Sequence, residues 1–138
     1  MPARHSGKVD KGWGYELIWA TNELYCGKIM VFSKKGNKFS MHFHREKTES
    51  WFVNQGKFIV RWIDTQTATL YQKELVPGDT WHNPPLQPHQ LEALEDGSSI
   101  SEVSTADSIE DNYRVMPGDS QPLQNNEETT PAPQTNAE

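Results

Sequence analysis

The stretch GNKFSMHFHREKTESWFVNQG, Gly36 to Gly56, carries two histidines one residue apart in a run that alternates like a β-strand. Side chains two apart on a strand leave the same face, so His42 and His44 point together. Glu49 follows five residues after His44. Two neutral imidazoles and a carboxylate suit one divalent transition ion, Zn, Mn, Fe, Ni or Co, better than Ca or Mg, which prefer oxygen donors. Within KFSMHFH, Lys38 and Ser40 share the phase of the histidines, while Phe39, Met41 and Phe43 take the opposite face. That phase either directs the Lys38 ammonium into the cavity that the histidines face or, at the strand's start, lets it reach water.

Outward from this stretch the pattern stays that of strands. KGWGYELIWATN alternates Trp13, Tyr15, Leu17 and Trp19, and LYCGKIMVFS follows it before the turn KKGN. REKTESWFVNQG places Trp51 and Val53 in phase behind Glu49. KFIVRWID, TATLYQKEL, VPGDTWHNPP, PHQLEALE and ISEVST come next, separated by turn residues. PHQLEALE carries His89 in phase with Leu91 and Ala93, whereas His82 has no spaced partner and reads as a surface residue near enough to touch a substrate. No segment before Asp107 has sustained helical periodicity, and about eight to ten short strands imply an all-β sandwich or barrel. SIEDNYRV closes the domain as a turn of helix or a last extended piece.

At 138 residues with 34% apolar content, the chain fits one domain. A formal charge of -6 without a Lys/Arg cluster argues against nucleic acid or an anionic membrane as partner. No apolar run is long enough to span a bilayer, and the opening residues lack the apolar core of a signal peptide, which predicts a cytoplasmic location. The single Cys26 cannot form an internal disulfide and reads as a small apolar strand residue. The expected organisation is a flexible polar arm over 1–10, a β-domain over 11–115 and a disordered tail over 116–138, a segment without a basic or aromatic residue.

Gly36, His42, His44, Glu49 and Gly56 stand at the spacing of the first conserved motif of the cupin superfamily, which the chain resembles over about residues 11 to 115. Gly78, Pro84 and His89 match the second motif, where Leu86 replaces a glycine and Ala93 an asparagine. The resemblance implies a single-domain, cupin-type double-stranded β-helix, a jelly-roll barrel, and it implies His89 as the fourth metal ligand beside His42, His44 and Glu49. The opening Trp13-Gly14-Tyr15-Glu16, His89-Gln90-Leu91-Glu92, Glu102-Val103 and Glu110-Asp111-Asn112-Tyr113 are similar to type II phosphomannose isomerase. That family has Gln in place of His42 and a longer histidine cluster in place of His44-Arg45-Glu46.

The resemblance implies an aldose-ketose isomerase acting on a sugar phosphate. The metal would polarise C1 and C2 oxygens, and Lys38 or a hydroxide on the ion are the candidates for the base. Lys38, Arg45, Lys47, Arg61 and Arg114 are the cations available to a phosphate, and Trp51 and His82 complete the expected substrate contacts. Related cupins also use three histidines and a glutamate for dioxygenase chemistry, and a non-enzymatic sugar-binding module is the third reading. The aromatic face of Trp13, Tyr15, Leu17 and Trp19 predicts a homodimer.

Overall fold

A computed structural model describes residues 6–121. Among them run eleven strands and no helix: β1 (Gly7–Lys11), β2 (Gly14–Thr21), β3 (Tyr25–Phe32), β4 (Met41–Phe43), β5 (Glu49–Gln55), β6 (Phe58–Asp64), β7 (Thr69–Leu75), β8 (Thr80–Asn83), β9 (His89–Ala93), β10 (Ser98–Thr105) and β11 (Tyr113–Met116). They form two antiparallel sheets, β1-β2-β3-β10-β5-β8 and β11-β4-β9-β6-β7. This is the all-β jelly-roll barrel expected from the alternating patterns. SIEDNYRV ends in the extended piece, β11, rather than in a helical turn.

The interior follows from period-2 alternation, and it divides into two halves. In one half Trp13, Phe32, Val53, Phe58, Val60, Leu91 and Ile100 make an apolar core. Trp13 stacks on Phe32 at 4.5 Å between ring centroids, and Phe58 meets Phe32 edge-on at 5.1 Å. At one level the inward faces change character. Along β3, Phe32 and Met30 give way to Lys28; along β5, Val53 and Trp51 give way to Glu49; along β10, Ile100 gives way to Glu102. The apolar half supplies the driving force for folding, and the second half is left for polar chemistry.

Four expectations change. Residues 7–10, read as part of a flexible arm, pair with β2 in a regular ladder that sets Val9 opposite Glu16. Residues 117–121, read as part of a disordered tail, lie against the barrel. Asp119 accepts hydrogen bonds from Lys38 N–H and Asn37 Nδ2, both at 2.9 Å, and Gly12 N–H donates to Ser120 Oγ at 3.0 Å. A Cβ at Gly118 would sit 2.3 Å from the Phe39 carbonyl carbon, so this approach requires glycine. The rest of the expected arm and tail, residues 1–5 and 122–138, falls outside the described residues.

The third change concerns phase. KFSMHFH is not one strand, because β4 begins only at Met41. Lys38 still faces Glu92 and Phe39 N–H bonds the Leu91 carbonyl at 3.3 Å, but the next pair is His42 with His89, so the register slips by one residue between them and the phase changes. Phe39 therefore turns inward beside His42, at 5.1 Å between centroids, and Lys38 forms an isolated bridge with Glu92 instead of joining the histidines. Fourth, the expected aromatic face is divided: Trp13 is core, while Leu17 and Trp19 are on the outside of the barrel, Trp19 being 66% exposed.

Candidate metal centre

His42 and His89 face each other as the one register pair between β4 and β9, and His44 leaves the end of β4 toward the same point. The candidate ligand nitrogens of His42, His44 and His89 all lie within 4.8 Å of one another, and all three rings are buried. Each ring is oriented through Nδ1. His42 Nδ1 bonds the Ser40 carbonyl at 2.9 Å, His44 Nδ1 the Asp111 carbonyl at 2.7 Å, and His89 Nδ1 the Gln87 carbonyl at 3.0 Å. A carbonyl can only accept, so Nδ1 keeps the hydrogen and Nε2 keeps its lone pair, as in histidines that ligate metals through Nε2.

Glu49 completes the group from the other sheet. Its Oε2 is 2.9 Å from His89 Nε2 and its Oε1 is 3.6 Å from His44 Nε2. At this separation either a proton on His89 Nε2 or a metal ion shared by the two groups keeps the lone pair and the carboxylate from repelling each other. Asn83 holds the carboxylate, donating from Nδ2 to Oε2 at 3.1 Å, and is held in turn by Trp81 Nε1 at 2.8 Å. Burial pushes His42 well below the ordinary imidazole range, assisted by His89 and His44. Burial likewise lowers His44 to about 4 against the pull of Glu49. Burial alone would raise Glu49, but Lys47, His89 and His44 keep it well below the usual carboxylate range.

Beyond Glu49 lies a buried ionic network. Lys47 Nζ is 3.0 Å from Asp107, 3.4 Å from Glu49 and 3.4 Å from Glu102. Lys28 Nζ is 3.6 Å from Glu16, 3.7 Å from Asp107 and 3.9 Å from Glu102. Burial opposes the charge on both lysines, yet the carboxylates prevail and raise both above their ordinary value. Burial and the neighbouring Glu49 raise Glu102 despite both lysines, whereas the lysines pull Asp107 down against its burial. Lys28 and Lys47 lie among four carboxylates, Glu16, Glu49, Glu102 and Asp107, so the surroundings of the histidines are rich in anionic oxygen and favourable to a divalent cation. Donor type, tautomer and charge thus all fit a divalent transition ion.

His42, His44, Glu49, Glu102 and Lys47 line an inner cavity of about 40 Å³. At about 10–15 Å³ for each water-sized group, that volume holds a few such groups and no hexose. An open hollow of about 880 Å³ lies outside it, and Lys47, Asp107 and Ser108 line both spaces. Arg45 lies in the hollow, 5.9 Å over the Tyr113 ring.

The other expected site residues are dispersed. Trp51 is core and donates to Glu102 from Nε1 at 3.0 Å. Arg61 is paired with Glu92 at 2.8 Å, away from the cavity lining. His82 lies on the outer face of β8, 3.2 Å from Ser50 Oγ and 3.4 Å from Thr48 Oγ1, because Glu49 and Trp51 hold the inner phase of β5. Lys38 lies outside the cavity lining, as its phase requires. The residues that sequence reasoning missed are Glu16, Lys28, Asn83, Glu102, Asp107 and, as an anchor, Asp111. The available signal was in phase: Lys28 precedes Met30 and Glu102 follows Ile100 at the period of two, charges on otherwise apolar faces.

A family model described as cupin matches residues 20–118. No curated protein matches the chain. The structure is similar to KdgF from Halomonas sp., at 22% identity and a TM-score of 0.59, covering 67% of this chain and 80% of that one. It is also similar to the capsular polysaccharide assembling protein CapF from Staphylococcus aureus, at 15% identity and 0.69, covering 83% of this chain and 33% of that one. A third similarity is to oxalate decarboxylase from Bacillus subtilis, at 22% identity and 0.69, covering 83% and 31%. At these identities the likeness is one of fold, and this chain spans only 33% and 31% of the latter two proteins.

Proposed function

Because this chain belongs to the cupin family, we propose that it is a metal-dependent enzyme, an aldose-ketose isomerase that moves protons on the carbonyl end of a small sugar. The observation that carries this reading is the convergence of three Nδ1-anchored histidines and Glu49 on a cavity that also contains paired proton donors and acceptors. His42, His44, His89 and Glu49 would hold one divalent transition ion. Such an ion polarises a carbonyl and the hydroxyl beside it. The inner cavity admits the two reacting carbons and their oxygens, while the outer hollow takes the remainder of the substrate.

Electrostatics favour an unphosphorylated sugar over the phosphate ester that the resemblance implies. The outer hollow is lined by Arg45 and Lys47 against Glu23, Glu46, Asp107, Glu110 and Asp111. A dianionic phosphate entering there meets more negative than positive charge. Lys47 is already committed to three carboxylates, and Lys38 and Arg61 lie elsewhere.

The test is elemental analysis of the purified protein, followed by assays of hexoses and hexose phosphates with the metal found. Stoichiometric metal with interconversion of an aldose and a ketose supports the reading. Substrate-dependent oxygen uptake would replace it with a dioxygenase, and ligand binding without turnover with a sugar-binding module. Absence of metal would remove it altogether.

The reading includes a homodimer through the outer face of the six-stranded sheet, where Leu17, Trp19, Phe52 and Val103 are exposed. A monomeric mass of 15.8 kDa in light scattering at micromolar concentration would refute that pairing.

A further inference from the structure

We infer that Glu102 is the catalytic residue that carries the proton in this site. The inference rests on the isomerase reading and supplies the base for which the sequence offered only Lys38 or a hydroxide on the ion.

Strand β10 turns Ile100, Glu102 and Ser104 inward, so Glu102 begins where the apolar core stops. Its side chain is buried, at 4% exposure, and lines the inner cavity together with His42, His44 and Glu49. Its two oxygens have different surroundings. Oε1 accepts from Trp51 Nε1 at 3.0 Å, and that indole is itself fixed between Phe39 and His89. Oε2 accepts no hydrogen bond from any described residue, and its nearest cations are Lys47 Nζ at 3.4 Å and Lys28 Nζ at 3.9 Å. Both separations exceed the 2.7–2.9 Å typical of a charge-assisted hydrogen bond.

This buried oxygen is held by charge alone, through Lys47 and Lys28, and keeps its hydrogen-bonding capacity for a proton. The neighbouring acids have other tasks. Glu49 faces His89 and accepts from Asn83, and Asp107 accepts from Lys47 Nζ at 3.0 Å. Glu102 combines an oxygen fixed by the Trp51 indole, an oxygen held only by ion pairs with Lys47 and Lys28, and a place in the cavity wall beside His42, His44 and Glu49. Burial and the charge of Glu49 strengthen it as a base, while Lys47 and Lys28 moderate the effect.

The step balances within the substrate. Glu102 takes the proton from C2, whose C–H electron pair forms the C1–C2 double bond while the carbonyl π pair moves onto O1, giving an enediolate. It then returns the proton to C1, while the hydrogen on O2 passes to O1. One C–H and one O–H bond break and one of each forms, so no oxidant or reductant is consumed.

The experiment is Glu102→Gln in the metal-loaded full chain, with three readouts: bound metal, isomerisation, and exchange of deuterium from C2 of a labelled sugar into water. The expected result is unchanged metal stoichiometry with turnover and exchange both lowered at least about a hundredfold. Exchange within about twofold of the unsubstituted protein, the metal being retained, would overturn the assignment. If Glu102→Gln does not fold, Glu102→Asp withdraws the carboxylate by one methylene, and undiminished exchange in that variant overturns the assignment equally. Should the unsubstituted protein neither isomerise nor exchange any sugar, the isomerase reading fails separately. The assignment of Glu102 as the base then falls with it.

Discussion

Asp111 holds His44 from two directions. Its carbonyl oxygen accepts His44 Nδ1–H at 2.7 Å, and its carboxylate accepts the backbone N–H groups of Arg45, Glu46 and Lys47 at 2.7, 3.1 and 3.0 Å. One residue between β10 and β11 therefore sets both the imidazole and the turn that follows it. Asp111→Ala is expected to weaken metal binding about 10–100-fold, the range found when groups that orient a ligand are removed. Asp111→Asn, which keeps one acceptor oxygen, should recover part of the loss. Chelator competition measures both; equal affinities in all three proteins would refute the anchoring role.

Acid should destabilise the metal-free protein before ordinary carboxylates titrate. His44 in the folded chain is lowered to about 4 from its ordinary 6.5, so on acidification the unfolded chain takes up the proton first. The stability is fully present above the unfolded value and falls as pH drops from 6.5 toward 4, with about 2 kcal/mol from His44 lost by pH 5. His42 is shifted in the same direction and adds to the loss. Urea unfolding of chelator-treated protein at pH 7 and pH 5 tests this. Equal midpoints would show that the imidazoles are already charged in the folded state.

Leu86 occupies the glycine position of the second cupin motif and adopts φ 71°, while its side chain is 57% exposed. A left-handed conformation costs a residue with a Cβ about 1–2 kcal/mol, and this exposed side chain recovers little by packing. Leu86→Gly should raise stability by about 1 kcal/mol after allowance for the greater freedom of glycine in the unfolded chain. The hydrogen bond from Leu86 N–H to the His44 carbonyl, 2.7 Å long, is main-chain and survives the change. A denaturant midpoint that stays or falls would mean that the leucine makes contacts worth the strain.

Removing residues 118–138 deletes the Asp119 carboxylate with its bonds to Lys38 and Asn37, and Ser120 with its bond to Gly12. A loss of about 2 kcal/mol is expected, seen as a melting temperature lower by several degrees. Asp119→Ala alone should reproduce part of it. An unchanged melt would return the segment to the status of a tail.

The fold was legible because period-2 alternation and turn residues fix strands locally, and a histidine pair on one face fixes which face is inward. In the folded chain His42, His44 and His89 lie beside Glu49, and it was the cupin resemblance, not local spacing, that pointed to His89. What spacing could not yield was the phase at Lys38, which follows from the one-residue slip between the Lys38–Glu92 and His42–His89 pairs, set by a partner strand about fifty residues away. The ionic network was hidden for a similar reason. Lys28, Glu102 and Asp107 meet only because β3 and β10 are neighbours in the sheet, an adjacency that no local pattern encodes. Trp13 and Trp19 show the same limit: they alternate alike in sequence, yet the chain turns at Gly12 and Trp13 before β2 begins and sends them to opposite sides of the wall.

The seam between β4 and β9 has a further consequence. Between the two strands themselves it consists of the single pair His42 and His89, with the Lys38–Glu92 bridge and the Phe39 N–H bond to the Leu91 carbonyl beside it, and β11 neighbours only β4 in the second sheet. An ion shared by His42 and His89 would rivet that flank, and its departure would release β4 and β11 while the apolar half stays shut. Amide exchange should then quicken in these two strands alone. In a cell, a chain short of trace metal would present a loosened edge to proteases, so its lifetime would follow the local supply of the ion.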